Sequence, residues 1–349
     1  MMKKLAFTAL CAVFFLVDGF SQPTASSSIP SEEVQNKSNS GGIHIAFYNV
    51  ENLFDTIDQP EVDDSEFMPN ADKNWNSWKY HTKLTRIGQV LVGLGGETPP
   101  AIVGLAEVEN RGVLEDLVGN RVLARAAYKI AHFESPDRRG IDVALLYREA
   151  EFKLVHARAH ALLLSGEPDF RSRDILHAKG ILRSGDTLHV FVNHWPSRYG
   201  GKEQSAYKRQ AASQLLKSLV DSISSVTPGA LIVAMGDFND HPSDKSLLNL
   251  TGDDTNNLVN LMQGELNYEG SHRYRGEWAY LDQILISKSL RNPAKKKAVQ
   301  AGIAKVYNHE LLLEKDDRYP GEMPFRTYFG PTYHNGYSDH LPVYLELNY

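Results

Sequence analysis

The chain of 349 residues contains one cysteine, Cys11, and no apolar run as long as a membrane-spanning helix. A bilayer requires about 20 consecutive apolar residues, and the most apolar stretch, residues 5–17, is shorter. A single thiol cannot form a disulfide within the chain, and we expect Cys11 to leave with the N-terminal segment. The mature chain therefore cannot use cysteine-ligated zinc, a cysteine nucleophile or a disulfide framework.

An excess of positive charge is also missing. The formal net charge is -6, and removing residues 1–21, with Lys3, Lys4 and Asp18, changes it to -7. An acidic protein gains nothing from bulk electrostatics when it meets a polyanion. If the substrate is a nucleic acid, contact must be local and metal-assisted.

The N-terminus has the layout of a secretory signal peptide. Lysines precede the apolar residues 5–17, and small residues lie around Ser21. We predict a signal peptide over residues 1–21, export to the periplasm or the extracellular medium, and no stable membrane anchor. A membrane-anchoring helix is disfavoured by the short apolar run, and a lipid on Cys11 by the bulky Leu10 before it.

The rest of the chain divides into a linker and one domain. Residues 22–42 are rich in Ser, Pro, Thr, Asn and Gly without apolar periodicity, which predicts a flexible linker. Strand-like and helix-like segments alternate over residues 43–349, so we predict a single domain with two packed sheets and helices outside them. Strands are predicted at 43–50, 101–108, 141–147, 152–164, 231–235, 280–286 and 341–347, a hairpin at 181–195, and helices around 84–94 and 205–225.

Polar residues repeatedly end the apolar strands. They are Asn49, Glu51, Glu107, Glu109, Asn193, His194, Asp237, Asn239, Asp240, Asp282, Asp339 and His340. Buried charges are costly unless they are paired or bind a cation. Carboxylate and amide oxygens favour hard cations such as Mg²⁺, Mn²⁺ or Ca²⁺. Convergence of these strand ends would create an oxygen-rich metal pocket.

Six short segments resemble, in order, the motif set of the endonuclease/exonuclease/phosphatase superfamily, whose members include deoxyribonuclease-I-like enzymes. The segments are Tyr48-Asn49-Val50-Glu51-Asn52, Gly104-Leu105-Ala106-Glu107-Val108, Asn193-His194-Trp195, Gly236-Asp237-Phe238-Asn239, Leu281-Asp282-Gln283-Ile284 and Ser338-Asp339-His340. The resemblance covers essentially residues 43–349 and is strongest to exported bacterial members. It implies an α/β (α+β) four-layer sandwich, two mixed sheets flanked by helices, and metal-dependent hydrolysis of phosphoric esters.

The resemblance also implies a metal site. Glu107 is the principal ligand, with Asn49, Glu51 and Asp339 completing the pocket for Mg²⁺, or for Mn²⁺ or Ca²⁺. Glu51 departs from the aspartate that several members carry, and its extra methylene makes direct ligation less certain. The ion would act as a Lewis acid on the phosphate.

Catalytic roles follow from the same resemblance. Asp237 orients or deprotonates the attacking water, and His340, paired with Asp282, contacts the phosphate. Either Asp237 or His340 could be the base, and the motifs leave this open. A structural reading of Asp282, as a strand cap or a partner of a lysine, is the weaker alternative.

The phosphate-binding groups are Asn239, His194 and Arg173. His194 could instead be a packed structural histidine beside Trp195, and Arg171 competes with Arg173 for the cationic role. Residues 138–139, two arginines before a predicted strand, are either a solvated turn or a substrate contact.

Two substrate classes remain open. The first is a phosphodiester, in DNA or RNA, which residues 198–209 could bind because arginines and lysines alternate there with Tyr199 and Tyr207. Lys208 and Arg209 are at least as well explained as the polar face of the following helix. The second is a small or lipid phosphoester, cut by a phosphatase or a sphingomyelinase-like phospholipase. A catalytically dead binding module is disfavoured because Glu107, Asp237 and His340 are all present. We expect a monomer.

Overall fold

Two β-sheets lie face to face in the computed structural model, which describes residues 42–96, 98–252, 258–264, 266–291 and 299–349. All described residues fall in one compact unit. The predicted signal peptide and nearly all of the predicted linker lie outside the described residues. No helix in the described ranges is long and apolar enough to cross a membrane.

The strands are, in chain order, β1 (Ile43–Leu53), β2 (Ile102–Val108), β3 (Tyr128–His132), β4 (Asp142–Arg148), β5 (Phe152–His160), β6 (Ile175–Leu182), β7 (Thr187–His194), β8 (Leu231–Asp237), β9 (Leu258–Asn260), β10 (His272–Tyr274), β11 (Glu277–Ala279), β12 (Asp282–Ser287), β13 (Gln300–Ala301), β14 (Lys305–Val306), β15 (Leu313–Lys315), β16 (Glu322–Pro324), β17 (Tyr328–Phe329), β18 (Thr332–Tyr333) and β19 (Val343–Asn348). The α-helices are α1 (Ser77–Leu94), α2 (Arg111–Gly119), α3 (Lys202–Val226), α4 (Lys245–Thr251) and α5 (Lys288–Arg291). Short 3₁₀ helices cover Ser65–Phe67, Ala124–Ala126 and Glu310–Leu312.

Each large sheet has a parallel pair at its centre. The first sheet has the order β13-β19-β1-β2-β4-β3, with β14 also on β19, and β1 runs parallel to β2. The second has the order β5-β6-β7-β8-β12-β9, and β7 runs parallel to β8. Parallel neighbours end at the same edge of a sheet. The polar ends of β1, β2, β7 and β8 are therefore brought together.

Apolar side chains fill the space between the sheets and under the helices. Gly104 of β2 faces the second sheet so closely that a Cβ there would lie 2.9 Å from the Met235 methyl group. Helices α1 and α2 contact the first sheet, and α3 and α4 pack on the outer face of the second through Ala212, Leu216 and Leu247. The layers are thus helix, sheet, sheet, helix, which confirms the predicted sandwich.

Side-chain caps fix where the first two helices begin. The Asn76 side chain accepts a hydrogen bond from the Lys79 amide at the start of α1, and Asn110 accepts one from the Val113 amide at the start of α2. Such caps satisfy amides that have no partner within the helix. The helix predicted around 84–94 consequently starts at Ser77, about two turns earlier than its apolar residues indicate.

The main differences from the predicted elements have local causes. β1 continues to Leu53 through a bulge at Glu51 and Asn52, both with positive φ. The predicted hairpin at 181–195 has its turn where expected, but its first strand starts at Ile175. The short hairpins β10–β11, β15–β16 and β17–β18 were missed because strands of two or three residues carry no periodicity.

The proposed nucleic-acid surface over residues 198–209 is corrected at Arg209. This side chain has no solvent exposure, and its Nε lies 2.7 Å from Oδ1 of the equally buried Asp240. Its remaining donors bind backbone carbonyls and the Ser205 hydroxyl. Arg209 therefore stabilises the junction of α3 with the loop after β8 and is not available to a substrate.

Replacing Arg209 with alanine should lower the free energy of unfolding by about 3–5 kcal/mol, because Asp240 would keep a buried charge without its partner. Urea denaturation followed by circular dichroism measures this. Lys202→Ala is the control, since it removes the same charge from the same helix but only a partly exposed pair with Asp244. That change should cost at most about 1 kcal/mol. Equal losses in the two variants would contradict the structural role of Arg209.

Candidate active site

The predicted site residues lie at one rim of the two sheets. Pairing places His194 of β7 directly beside Asp237 of β8, and Asp237 beside Asp282 of β12. In the first sheet, Asn49 of β1 pairs with Ala106, the residue before Glu107. The side chains of Asn49 and Asp237 then join the two sheets by a hydrogen bond of 3.1 Å.

Asp237 is the centre of this arrangement. Its Oδ2 accepts the bond from Asn49 and lies 3.7 Å from His194 Nε2 and 3.8 Å from His340 Nε2. Its Oδ1 accepts a hydrogen bond from the backbone N–H of Asn239. Burial raises the pKa of Asp237 to about 6, although the charge of His340 opposes the rise. The carboxylate is thus ionised at neutral pH and close to the range in which it can accept a proton.

His340 is held as an imidazolium. Its Nδ1 lies 2.7 Å from Asp282 Oδ2. Burial alone would lower the pKa of His340, but the carboxylates of Asp282 and Asp237 outweigh burial and hold the pKa well above its usual value. With Nδ1 bonded to Asp282, Nε2 points its proton towards the Asp237 side of the site.

His194 has the opposite protonation state. Burial, with Arg173 and Arg139 nearby, holds the pKa of His194 well below its usual value. Arg173 is itself buried and anchored, since it donates to Asp137 at 3.0 Å and to the Trp195 carbonyl at 2.6 Å. A neutral imidazole next to a fixed guanidinium can donate a hydrogen bond to an anion without bringing a second mobile charge.

Backbone strain concentrates at this rim. Glu51, Asn52, Glu107 and Asn239 all have φ between 51° and 64°, a conformation that L residues other than glycine rarely adopt. Bulges interrupt the pairing of β1 with β2 and of β2 with β4 at the same places. The bulge at Glu107 brings its Oε2 to the Asn52 amide at 3.0 Å. Such strain is typical of functional sites, where it aims particular side chains.

The carboxylates of Glu51 and Asp339 both contact the guanidinium group of Arg326. Arg326 Nη2 lies 2.9 Å from Asp339 Oδ2 and 3.5 Å from Glu51 Oε1. Glu51 Oε2 also accepts a hydrogen bond from the Thr327 amide at 2.7 Å. Behind them, the buried Lys83 donates to the Thr327 hydroxyl and the Tyr337 carbonyl, and burial lowers the pKa of Lys83 to about 8.

These oxygen donors suit a hard divalent cation. Lys83 and Arg326 both interact electrostatically with Glu51, Asp339 and Glu107, so three carboxylates share one neighbourhood. Within the described residues, Glu107 Oε1 accepts no hydrogen bond, and its nearest partners are the neutral His194 at 3.9 Å and the Arg139 guanidinium at 4.0 Å. Glu107 Oε1 is therefore the freest oxygen among the predicted ligands, whereas the Asn49 side-chain oxygen accepts the Glu51 backbone N–H, Asp339 contacts Arg326, and Glu51 is bonded to the loop at 326–328. The role of Glu51 as a ligand stays a prediction.

Several residues of the site carried no sequence motif. Arg326 and Lys83 were not predicted, and Arg139, weighed only as a turn or a substrate contact, lies 4.0 Å from Glu107 Oε1. His272 of β10 lies next to His340, with the ring centroids 4.6 Å apart and the rings tilted by 42°, and Asp137 anchors Arg173. An arginine just before a predicted strand was a usable signal for Arg139. No local sequence pattern identifies Arg326, Lys83, His272 or Asp137 as residues of the site.

A cleft of about 780 Å³ adjoins the rim that carries the predicted site residues. His340 and Asn239 line it together with the aromatic residues Tyr199, Tyr274 and Trp278. Tyr199 is 94% exposed, so its ring is free to contact a ligand. The cleft therefore offers aromatic surfaces directly next to the groups that would bind a phosphate.

The model of the endonuclease/exonuclease/phosphatase family matches residues 44–349. The chain belongs to this family, which confirms the resemblance of its six motifs. It is accordingly a metal-dependent phosphoric ester hydrolase. No match was found among curated proteins.

Solved structures of low sequence identity share the fold. Truncated TDP2 from Caenorhabditis elegans is 15% identical, with 89% of this chain and 98% of that chain covered and a TM-score of 0.54. An endonuclease/exonuclease/phosphatase family protein from Bacteroides thetaiotaomicron is 16% identical, with 88% and 97% covered and a TM-score of 0.55. The human Nocturnin catalytic domain with a bound sulfate anion is 18% identical, with 88% and 93% covered and a TM-score of 0.54. These likenesses confirm the sandwich fold.

The backbone strain at Glu107 can be measured by comparing two substitutions of this residue. Glu107→Ala and Glu107→Gly both remove the carboxylate, but only glycine relieves the left-handed backbone. We expect the glycine variant to unfold with a free energy about 1 kcal/mol higher than the alanine variant, with both inactive. Urea denaturation of the two proteins is the measurement. Equal stability, or a more stable alanine variant, would show that the backbone at Glu107 is not strained.

Proposed function

We propose that this chain is an exported, Mg²⁺-dependent nuclease or phosphodiesterase. The observation that carries the substrate class is the cleft of about 780 Å³ whose aromatic walls, Tyr199, Tyr274 and Trp278, adjoin His340 and Asn239. Aromatic rings next to a phosphate site suit stacked bases of a single strand. Arg198 and Lys202 at the same cleft suit a charged backbone, although both also contact Asp244.

Glu107, Asn49 and Asp339 would hold the metal, with Glu51 as a fourth candidate. Oxygen ligands of this kind favour Mg²⁺, with Mn²⁺ and Ca²⁺ as alternatives. When bound, the ion supplies Lewis-acid stabilisation of negative charge on the phosphate and the leaving oxygen.

Asp237 is the better candidate for the base. His340 holds its proton at neutral pH and cannot accept another, whereas Asp237 is ionised with a pKa raised to about 6. Asp237 would take a proton from the attacking water at Oδ2. The His340 Nε2–H would donate to a phosphate oxygen, and Asp282 would hold the ring in that orientation.

Three more groups would bind the phosphate. His194 offers a neutral imidazole, and Arg173 a guanidinium fixed by Asp137 and the Trp195 carbonyl. The Asn239 side chain donates to that same carbonyl at 3.1 Å. Donors held in advance cost no reorganisation when charge develops in the transition state. Water would then attack phosphorus in line, without a covalent enzyme intermediate.

The function is tested with the mature chain, residues 22–349, supplied with Mg²⁺ or Mn²⁺. We expect nicking of plasmid DNA and hydrolysis of bis(p-nitrophenyl) phosphate, and EDTA should abolish both. His340→Ala should reduce the rate by about 10²–10⁴-fold, because it removes a protonated group from the transition state. His81→Ala, which removes an exposed imidazole from α1, should leave the rate unchanged.

Comparing different substrates separates a nuclease from a phosphatase or phospholipase. Cleavage of neither DNA nor RNA, with hydrolysis of sugar phosphates or phospholipids instead, would contradict the nuclease proposal in favour of a phosphatase or phospholipase. Hydrolysis that persists in EDTA, or in the His340→Ala variant, would contradict the proposed site itself.

Asp282→Asn tests the orientation of His340. The amide keeps the size of the side chain but removes the charge that stabilises the imidazolium. We expect kcat to fall by about 10–100-fold with a folded protein, since loss of such supporting partners typically has this effect. An unchanged kcat would show that Asp282 only caps β12.

Export makes a separate prediction. A host that secretes the full chain should release a protein that begins at Gln22, and size-exclusion chromatography should find it monomeric. Mass spectrometry of the N-terminus is the measurement. Retention of residues 1–21 would contradict the signal peptide.

A further inference from the structure

A second pocket, rich in arginine, shares Tyr274 of the β10–β11 hairpin with the cleft. It has a volume of about 310 Å³ and is lined by Arg273, Arg275, Arg318, Arg326 and Asp316, among others. Four arginines against one aspartate give it an excess of three positive charges. Such an excess stands out in a chain with a net charge of -6.

Aromatic rings hold the arginines in place. The Arg318 guanidinium lies 4.5 Å, and that of Arg326 5.9 Å, from the centre of the Phe329 ring. The Arg275 guanidinium lies 5.2 Å from the Tyr274 ring. A guanidinium over an aromatic ring is attracted by the ring electrons and can still donate N–H groups to an anion.

Two of the arginines have no charged partner of their own. Arg273 is paired with Asp316 at 3.2 Å, and Arg326 with Asp339. Among the described residues, Arg275 and Arg318 form no ion pair and their guanidinium groups no hydrogen bond. Arg326 Nε is also buried without a hydrogen-bond partner. The pocket therefore contains donors that the protein itself does not satisfy.

The pocket is connected to the catalytic rim at two points. Arg326 lines the pocket while its Nη2 contacts Asp339, the predicted metal ligand, at 2.9 Å. Tyr274 lines both this pocket and the cleft that His340 also lines. The Arg326 side chain would thus contact both an anion in the pocket and Asp339 at the site of hydrolysis.

We infer that the arginine pocket binds a second phosphate group of the substrate, next to the phosphate that is hydrolysed. Arg275 and Arg318 supply the free donors, and Arg326 links the pocket to the reacting centre. The inference rests on the proposed phosphoesterase site and adds to it a preference for substrates with two neighbouring phosphates. Successive phosphates of a polynucleotide and the two phosphates of a bisphosphorylated sugar both meet this requirement.

The test compares ligands that differ by one phosphate. Isothermal titration calorimetry in EDTA, where hydrolysis is blocked, gives dissociation constants for thymidine 5′-phosphate and thymidine 3′,5′-bisphosphate. Glucose 1-phosphate and glucose 1,6-bisphosphate form the second pair. We expect the wild-type protein to bind the bisphosphate of at least one pair about tenfold more tightly, which corresponds to about 1.4 kcal/mol.

The double variant Arg275→Ala/Arg318→Ala should lose this preference and bind both members of the pair within about twofold. Arg121→Ala/Arg125→Ala removes two exposed arginines near the 3₁₀ helix Ala124–Ala126 and should keep it. A preference for the thymidine pair alone identifies a polynucleotide as the source of the second phosphate, and a preference in both pairs identifies phosphate itself as what is recognised.

The inference would be overturned if the wild-type protein showed no preference for a bisphosphate. It would also be overturned if the Arg275→Ala/Arg318→Ala variant kept that preference. Hydrolysis of bis(p-nitrophenyl) phosphate, which has a single phosphate, is measured in parallel with Mg²⁺ and should be unchanged by that variant. Hydrolysis without a bisphosphate preference refutes only the second-phosphate pocket. A preference without hydrolysis refutes the proposed function and leaves the pocket as an anion site.

Discussion

The active site depends on burying the Asp237 carboxylate where the two sheets meet. A carboxylate in that position is tolerated only if hydrogen bonds and positive charge compensate for the lost water. Asn49 supplies a hydrogen bond from the first sheet, the Asn239 amide supplies another, and the His340 imidazolium supplies the charge. Asn49 and His340 come from parts of the chain distant from Asp237, so the fold and the catalytic arrangement are stabilised by the same contacts.

The neighbouring carboxylates are balanced in a different way. Glu51, Asp339 and Glu107 repel one another, and the protein places Arg326 and Lys83 against them. Arg326 contacts both Glu51 and Asp339, so a divalent ion bound by these carboxylates would compete with its guanidinium. Placing these carboxylates also strains the backbone, since Glu51, Asn52 and Glu107 all have left-handed conformations. The same Arg326 also lines the arginine pocket, so one side chain contacts both the predicted metal ligands and the proposed site for a second phosphate.

The sequence predicted the layered fold and most of the rim, because polar residues ended apolar strands and parallel strands end at one edge. Asn49, Asp237 and Asp282 were found in this way. Arg326 was not, since 275 residues separate it from Glu51 and no local pattern links them. The left-handed backbone at Glu107 was equally invisible, because no glycine marks it. Arg209 carried a usable signal: it precedes Ala212 and Leu216 at helical spacing, which places it on the buried face of α3.

A structure of the protein with Mn²⁺ tests the central claim most directly, because anomalous scattering identifies the ion and the map shows its ligands. We expect one ion within about 2.5 Å of Glu107 Oε1, with Asn49 and Asp339 beside it and Arg326 turned away from Asp339. An ion bound elsewhere, for example at the cluster of His132, Glu134 and Asp142, with Glu107 unligated, would contradict the proposed metal site and the mechanism built on it.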